Sequence, residues 1–168
     1  FHLVYRKLLN FCAVELSSVY FDISKDILYV ELPDSKKRRA NQTVQNELLN
    51  SLSRLMAPIL CFTMEEIWQF IKKPGSIHTE RYYRLDDRFN NPEIEQKIEG
   101  LVNIKNDVLK ELEVCRRDKM LKSSLEADIV LFAKDEKTKQ MMVSMGPELT
   151  RFFQVASVTV SSEEQAGM

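Results

Sequence analysis

Residues 34–59 read DSKKRRANQTVQNELLNSLSRLMAPI. Ala40, Val44, Leu48, Leu52, Leu55, Met56 and Ile59 recur in them at the spacing of one face of an α-helix. The stretch predicts a long helix from Ser35 to about Ile59, capped by Asp34 or Ser35 and kinked or ended by Pro58. Just upstream, Glu31-Leu32-Pro33-Asp34 reads as a loop, because a proline disfavours helix in the residue before it. A helix of this length with one apolar stripe has to lie against other elements, and the flanking sequence supplies more helices.

From Phe1 to about Leu16, Phe1, Val4, Tyr5, Leu8, Phe11, Cys12 and Leu16 keep helical steps. This helix opens on apolar residues with no Ser, Thr, Asp or Asn ahead of them, and reads as a helix cut through. Ser17-Ser18 are placed to bend the chain, and Val19 to Tyr29 continues with helical spacing.

Downstream, Thr63-Met64-Glu65-Glu66 matches a capping box, with Phe62 and Ile67 placed for the accompanying hydrophobic staple. Ile67, Trp68 and Ile71 give that helix a buried face, and Lys72-Lys73-Pro74-Gly75 ends it. Residues 76–90 are polar and irregular, with room for a short extended piece. Asn91-Pro92 restarts a helix that runs to about Lys119, with Asn91 as N-cap, Pro92 in the first turn and Glu93 and Glu95 suited to the helix dipole.

After residue 120 the period changes. Leu125, Ala127, Ile129 and Leu131 alternate with polar neighbours, as in a strand over 125–133. Asp135–Met145 is helical, Gly146-Pro147 breaks it, a short helix follows to Phe153, and Val155–Val160 reads as a second strand. Two strands alone are marginal, so they are expected to pack with their helices in a small α/β unit. The organisation expected is mainly α: a helical domain over 1–120, an α/β subdomain over 121–162, and a polar tail over 163–168.

The composition excludes several kinds of chemistry. Four glycines in 168 residues is about 2%, against roughly 7% in ordinary chains. All four are isolated, so no Gly-rich phosphate cradle can form. His2 and His78 are remote from each other and belong to no metal-binding pair. Cys12, Cys61 and Cys115 lie about fifty residues apart with no C-x-x-C, and read as small buried apolar side chains in a reducing compartment rather than as a disulfide or zinc framework. No apolar run is long enough to span a bilayer. Adjacent helical positions do not face each other, so Glu65-Glu66 is not a catalytic carboxylate pair. Lys119-Met120-Leu121-Lys122-Ser123 imitates a nucleotide-binding K-M-S-K-S loop, but no βαβ unit surrounds it, and cations after a helix end are sufficiently explained by the helix dipole.

One charge feature resists the bland reading. The net charge is −1, yet Lys36-Lys37-Arg38-Arg39 open the long helix, where cations oppose the dipole. Such a placement calls for an anion, either Asp34 or a phosphate partner. Arginine offers a planar fork to phosphate and guanine edges, and Asn41 and Gln42 can read adenine edges. Arg6, Lys7 and Arg54 extend the basic set, and Tyr20, Phe21 and Tyr29 are aromatic surfaces for unpaired bases.

The motifs, read in order, carry a resemblance. They are Phe1-His2, Asn10-Phe11-Cys12, Leu16-Ser17, Tyr20-Phe21-Asp22 and Lys25-Asp26; then Asp34-Ser35, Arg38-Arg39 and Gln42-Thr43; then Ala57-Pro58-Ile59-Leu60, Phe62-Thr63 and Glu65-Glu66-Ile67-Trp68; and finally Ser124-Leu125-Glu126-Ala127 after Lys119. Over roughly residues 1–130 this pattern resembles the region that follows the catalytic core in the isoleucyl-tRNA synthetase family. The Ala57–Trp68 stretch is shared with valyl, leucyl and methionyl relatives, and the first stretch is more specific.

The resemblance implies a helical-bundle anticodon-binding domain of class Ia synthetases followed by a small α/β junction. It also implies a parent that joins isoleucine to tRNA(Ile) with ATP and magnesium bound in upstream domains, cytoplasmic and monomeric. It implies no catalytic residue, cofactor or metal in these residues, and neither membrane nor DNA as a partner. Lys36, Lys37, Arg38, Arg39, Asn41, Gln42, Arg6 and Arg54 become the candidate tRNA contacts. Ile27 stands where the family usually has Arg, and Lys122 where a Gly is common. A family zinc module would need four cysteines that are not here. The alternative from another class is a helical protein–protein interaction module using the apolar stripes.

Overall fold

A computed structural model describes residues 1–133 and 135–161. The expected tail over 163–168 lies outside the described residues. Two compact units divide the chain, Phe1–Asn90 and Asn91–Met168.

The first unit is helical. α1 (His2–Asn10), a π-helical segment (Phe11–Phe21) and α2 (Asp22–Val30) follow one another without a break. Through Ser17-Ser18 the backbone stays helical in a wider turn, and the Ser18 hydroxyl donates to the Ala13 carbonyl five residues back. α1 starts without a side-chain cap, as the sequence predicts.

α3 spans Lys36–Met56, with Ser35 as its N-cap accepting from the Arg38 N–H at 3.2 Å. The expected stripe is only half-buried at Leu48, Leu52, Met56 and Ile59, and its most buried neighbours are polar. The buried residues are Asn41, Asn50 and Ser53, whereas Val44 and Leu55 are exposed. Small polar side chains let a helix sit close to its neighbours, provided that their polar atoms find partners. Asn50 donates to the Asn46 carbonyl at 2.8 Å, and the Asn41 Oδ1 accepts from the Tyr20 hydroxyl at 3.0 Å.

α4 (Cys61–Phe70) begins two residues before the expected capping box. A tight turn over Pro58–Leu60 bonds the Leu60 N–H to the Met56 carbonyl and leaves Leu60 in the cap position with no side-chain cap. Thr63 thus lies inside the first turn, where it cannot act as N-cap, and Phe62, 93% exposed, forms no staple. The expected buried face does form: Trp68 is 1% exposed in a cluster with Ala57, Met64 and Ile77, and Ile67 and Ile71 pack against it. Residues 76–90 return along α3 and α4 as two short 3₁₀ turns, Ile77–Thr79 and Asp87–Phe89, with no extended strand among them.

The second unit opens with α5 (Pro92–Arg117), capped by Asn91 as predicted. β1 (Asp128–Phe132) and β2 (Ser157–Ser161) pair in parallel, Asp128 opposite Ser157 and Phe132 opposite Ser161. A parallel pair needs a long crossover, here α6 (Glu136–Met145) and α7 (Pro147–Phe153), both packed on β2. β1 is shorter than predicted because a 3₁₀ turn over Ser124–Glu126, capped by Ser123, takes its first residues and leaves Leu125 exposed. Met142, Leu149, Phe152, Phe153 and Val155 are buried in this unit.

The cysteines correct another expectation. Cys61 is exposed, Cys12 and Cys115 are half-buried, and all three are free.

Candidate nucleic-acid interface

The basic cluster sits at the N-terminus of α3, one turn after the end of α2. The turn Glu31–Ser35 between them is closed by a hydrogen bond from the Ser35 N–H to the Leu32 carbonyl at 3.0 Å. The Arg38 guanidinium donates to the Glu31 carbonyl at 3.0 Å, across the same turn. Arg38 is thus a clamp on the turn and not a free cation. Lys36, Lys37, Arg39 and Gln42 are exposed around it. The Arg39 guanidinium reaches the Gln42 Oε1 at 3.3 Å, so these two present a joined donor–acceptor surface. Tyr29, 86% exposed, stands at the end of α2 on the other side of the turn.

Two of the candidate residues face inward. Asn41 is 8% exposed and holds the Tyr20 hydroxyl, which ties the π-helical segment to α3. Burial also pushes the Tyr20 phenol above its ordinary range. Arg54, its side chain 12% exposed, pairs with Glu80 at 3.0 Å and donates to the Asn50 carbonyl at 3.0 Å. Its guanidinium carbon lies 4.5 Å from the centre of the Trp68 ring and 5.3 Å from that of Tyr83. Arg54 therefore anchors the returning segment onto α3 and α4. Arg6 and Lys7 are exposed on α1, and Phe21 is exposed on the π-helical segment.

A second feature has no mark of its own in the sequence. Leu8, Phe11, Val44, Leu48, Leu52, Leu55, Leu85 and Phe89 line an apolar groove of about 480 Å³. The predicted stripe of α3 forms its floor, and the spacing that marks such a stripe says nothing about how completely it is covered. Among the described residues, no group of three or more His, Cys, Asp or Glu could hold a metal ion, and no helix is long and apolar enough to cross a membrane.

Residues 1–131 match the family model described as the anticodon-binding domain of tRNA ligase, and the chain belongs to that family. The relatives narrow the class. The isoleucine–tRNA ligase of Brachyspira hyodysenteriae is 39% identical over 166 residues, covering 98% of this chain and 18% of the relative. That of Carboxydothermus hydrogenoformans is 39% identical over 172 residues, covering 99% and 18%. Isoleucine–tRNA ligase 1 of Oceanobacillus iheyensis is 40% identical over 159 residues, covering 94% and 17%. The chain thus spans less than a fifth of the length of the relatives it matches.

Proposed function

We propose that this chain is the part of an isoleucine–tRNA ligase that grips the anticodon stem-loop of tRNA(Ile), and that Lys36, Lys37 and Arg39, with Gln42, make the grip. The observation that supports it is the exposure of these side chains around a clamped turn, in a domain of the anticodon-binding family. The contribution is positional. Holding the stem-loop turns the arrival of the tRNA 3′ end at a remote catalytic site into an effectively intramolecular event. The aminoacylation itself, with ATP and magnesium, belongs to other domains of the parent, which we take to be a monomeric cytoplasmic enzyme. In that anatomy residues 1–120 are the bundle and 121–162 the junction.

Arg38, Asn41 and Arg54 drop from the contact set, since each is engaged within the fold; Arg6 stays as an outlying candidate. Replacing Lys36, Lys37 and Arg39 by alanine in the 168-residue chain is expected to weaken tRNA(Ile) binding at least tenfold. It should also flatten the plot of log affinity against log salt by about one for each phosphate that is no longer neutralised. Unchanged affinity and slope would reject the assignment.

The apolar groove favours a second reading, a protein-interaction module. Its mark would be salt-insensitive association in the absence of tRNA affinity.

A further inference from the structure

The exposed ring of Tyr29 is not accounted for by packing. Tyr29 and Val30, the last two residues of α2, and Leu32, in the turn that leads into the basic helix start, are exposed at 86%, 80% and 70%. An exposed aromatic seven residues ahead of an exposed run of cations, across one short turn, is a combination suited to single-stranded nucleic acid. The turn that follows the ring is held at three points. The Ser35 N–H bonds to the Leu32 carbonyl, the Arg38 guanidinium to the Glu31 carbonyl, and the Arg38 N–H to the Ser35 Oγ. The end of α2 and the first turn of α3 are therefore joined by a fixed backbone turn, which leaves little backbone ordering for binding to do.

We infer that Tyr29 is a stacking platform for one unpaired base of the RNA, while Lys36, Lys37 and Arg39 hold the neighbouring phosphates. This rests on the anticodon-binding reading and sharpens it, because stacking selects for a loop over a duplex. Bases of a paired stem already stack on each other and cannot be offered to a side chain without being extruded, whereas loop bases can. The carboxylates nearby, Asp34 in the turn and Asp26 in α2, disfavour phosphate at their own positions. That leaves the start of α3, with Lys36, Lys37 and Arg39, for the backbone.

The test uses the 168-residue chain, an RNA stem-loop with an isoleucine anticodon, and a blunt duplex of the same stem. 2-Aminopurine is placed at each loop position in turn. Tyr29→Ala is expected to weaken stem-loop binding about tenfold, leave duplex binding and the salt slope unchanged, and abolish the quenching of 2-aminopurine at one loop position. Tyr29→Phe should keep both affinity and quenching, since the ring and not the hydroxyl acts. Exposure at the ring makes loss of folding in Tyr29→Ala detectable as a separate event, by circular dichroism. If Tyr29→Ala keeps affinity and quenching while removal of Lys36, Lys37 and Arg39 abolishes binding, stacking is overturned and the basic grip stands. If the unsubstituted chain binds no stem-loop, both fall. If Tyr29→Ala disrupts only binding to a protein, the ring belongs to a protein interface and the inference is wrong.

Discussion

Arg54 shows how a residue's neighbours in space decide its role. Read along the chain it is one more cation on a basic helix, yet it pairs with Glu80, 26 residues away, and its guanidinium lies between Trp68 and Tyr83. Arg54→Met keeps much of the bulk but removes the charge and leaves Glu80 without this partner. It should destabilise the chain by about 2 kcal/mol, read as a lower urea midpoint with Trp68, the single tryptophan, as the fluorescent probe. Arg54→Lys should recover only a fraction, because an ammonium lacks the planar fork that spans Glu80 and the Asn50 carbonyl. tRNA affinity of the folded Arg54→Met protein should stay within about twofold of the original. Asn41 is engaged in the same way: an amide two residues past a basic cluster suits a base edge, but nothing local reveals that the Tyr20 hydroxyl reaches it from 21 residues upstream. The charged ends of Lys36, Lys37 and Arg39 were legible because they depend only on a helix start, which Ser35 and Pro33 mark in the sequence.

Helix starts divide into those set by local chemistry and those set by the preceding turn. Asn91, Asp135 and Ser35 each cap through their own side chains; Asn91 was readable as a cap, Ser35 as one of two candidates with Asp34, and Asp135 only as the start of its helix. Ser35→Ala should cost about 1 kcal/mol and loosen the turn that follows Tyr29. Its check is a lower thermal midpoint together with weaker stem-loop binding. α4 starts instead where the Pro58–Leu60 turn delivers the chain, which overrides the capping-box pattern at Thr63. The box also assigned the wrong carboxylate. Glu65, not Glu66, is the structural acid: its Oε2 accepts from the Ser76 hydroxyl at 2.7 Å and from the Ile77 N–H at 3.1 Å, pinning the returning segment to α4. The Ser76 hydroxyl, then the Ile77 N–H, holds the Glu65 carboxyl below its ordinary value of 4.5. A depressed folded value means that the carboxylate stabilises the fold above the unfolded value, and that this contribution is lost as pH falls through the folded one. Urea midpoints should therefore fall as pH drops from about 5 to about 3, and Glu65→Gln should reduce that slope while lowering the midpoint at neutral pH. An equal slope in the variant would show that other carboxylates account for it.

At the scale of the chain, the mainly helical architecture and the two strands of the small sheet, though not their parallel pairing, were visible as a change of apolar period from helical steps to alternation near residue 125. Coverage was not visible. Periodicity marks the stripe Val44, Leu48, Leu52 and Leu55, but the same pattern serves a closed core and the open groove that these residues line. The most buried positions of α3 are Asn41, beside the stripe, and Asn50 and Ser53, on the far side from it, which no hydrophobic pattern reveals. The central claim is that the turn and first helical turns over 29–42 meet the anticodon stem-loop. Ultraviolet cross-linking of the chain to tRNA(Ile), with the joined residues and nucleotides mapped by mass spectrometry, tests it most directly. The account predicts cross-links from residues 29–42 to anticodon-loop nucleotides, lost when Lys36, Lys37 and Arg39 are replaced. Cross-links confined to other residues, or to the acceptor stem, would contradict it.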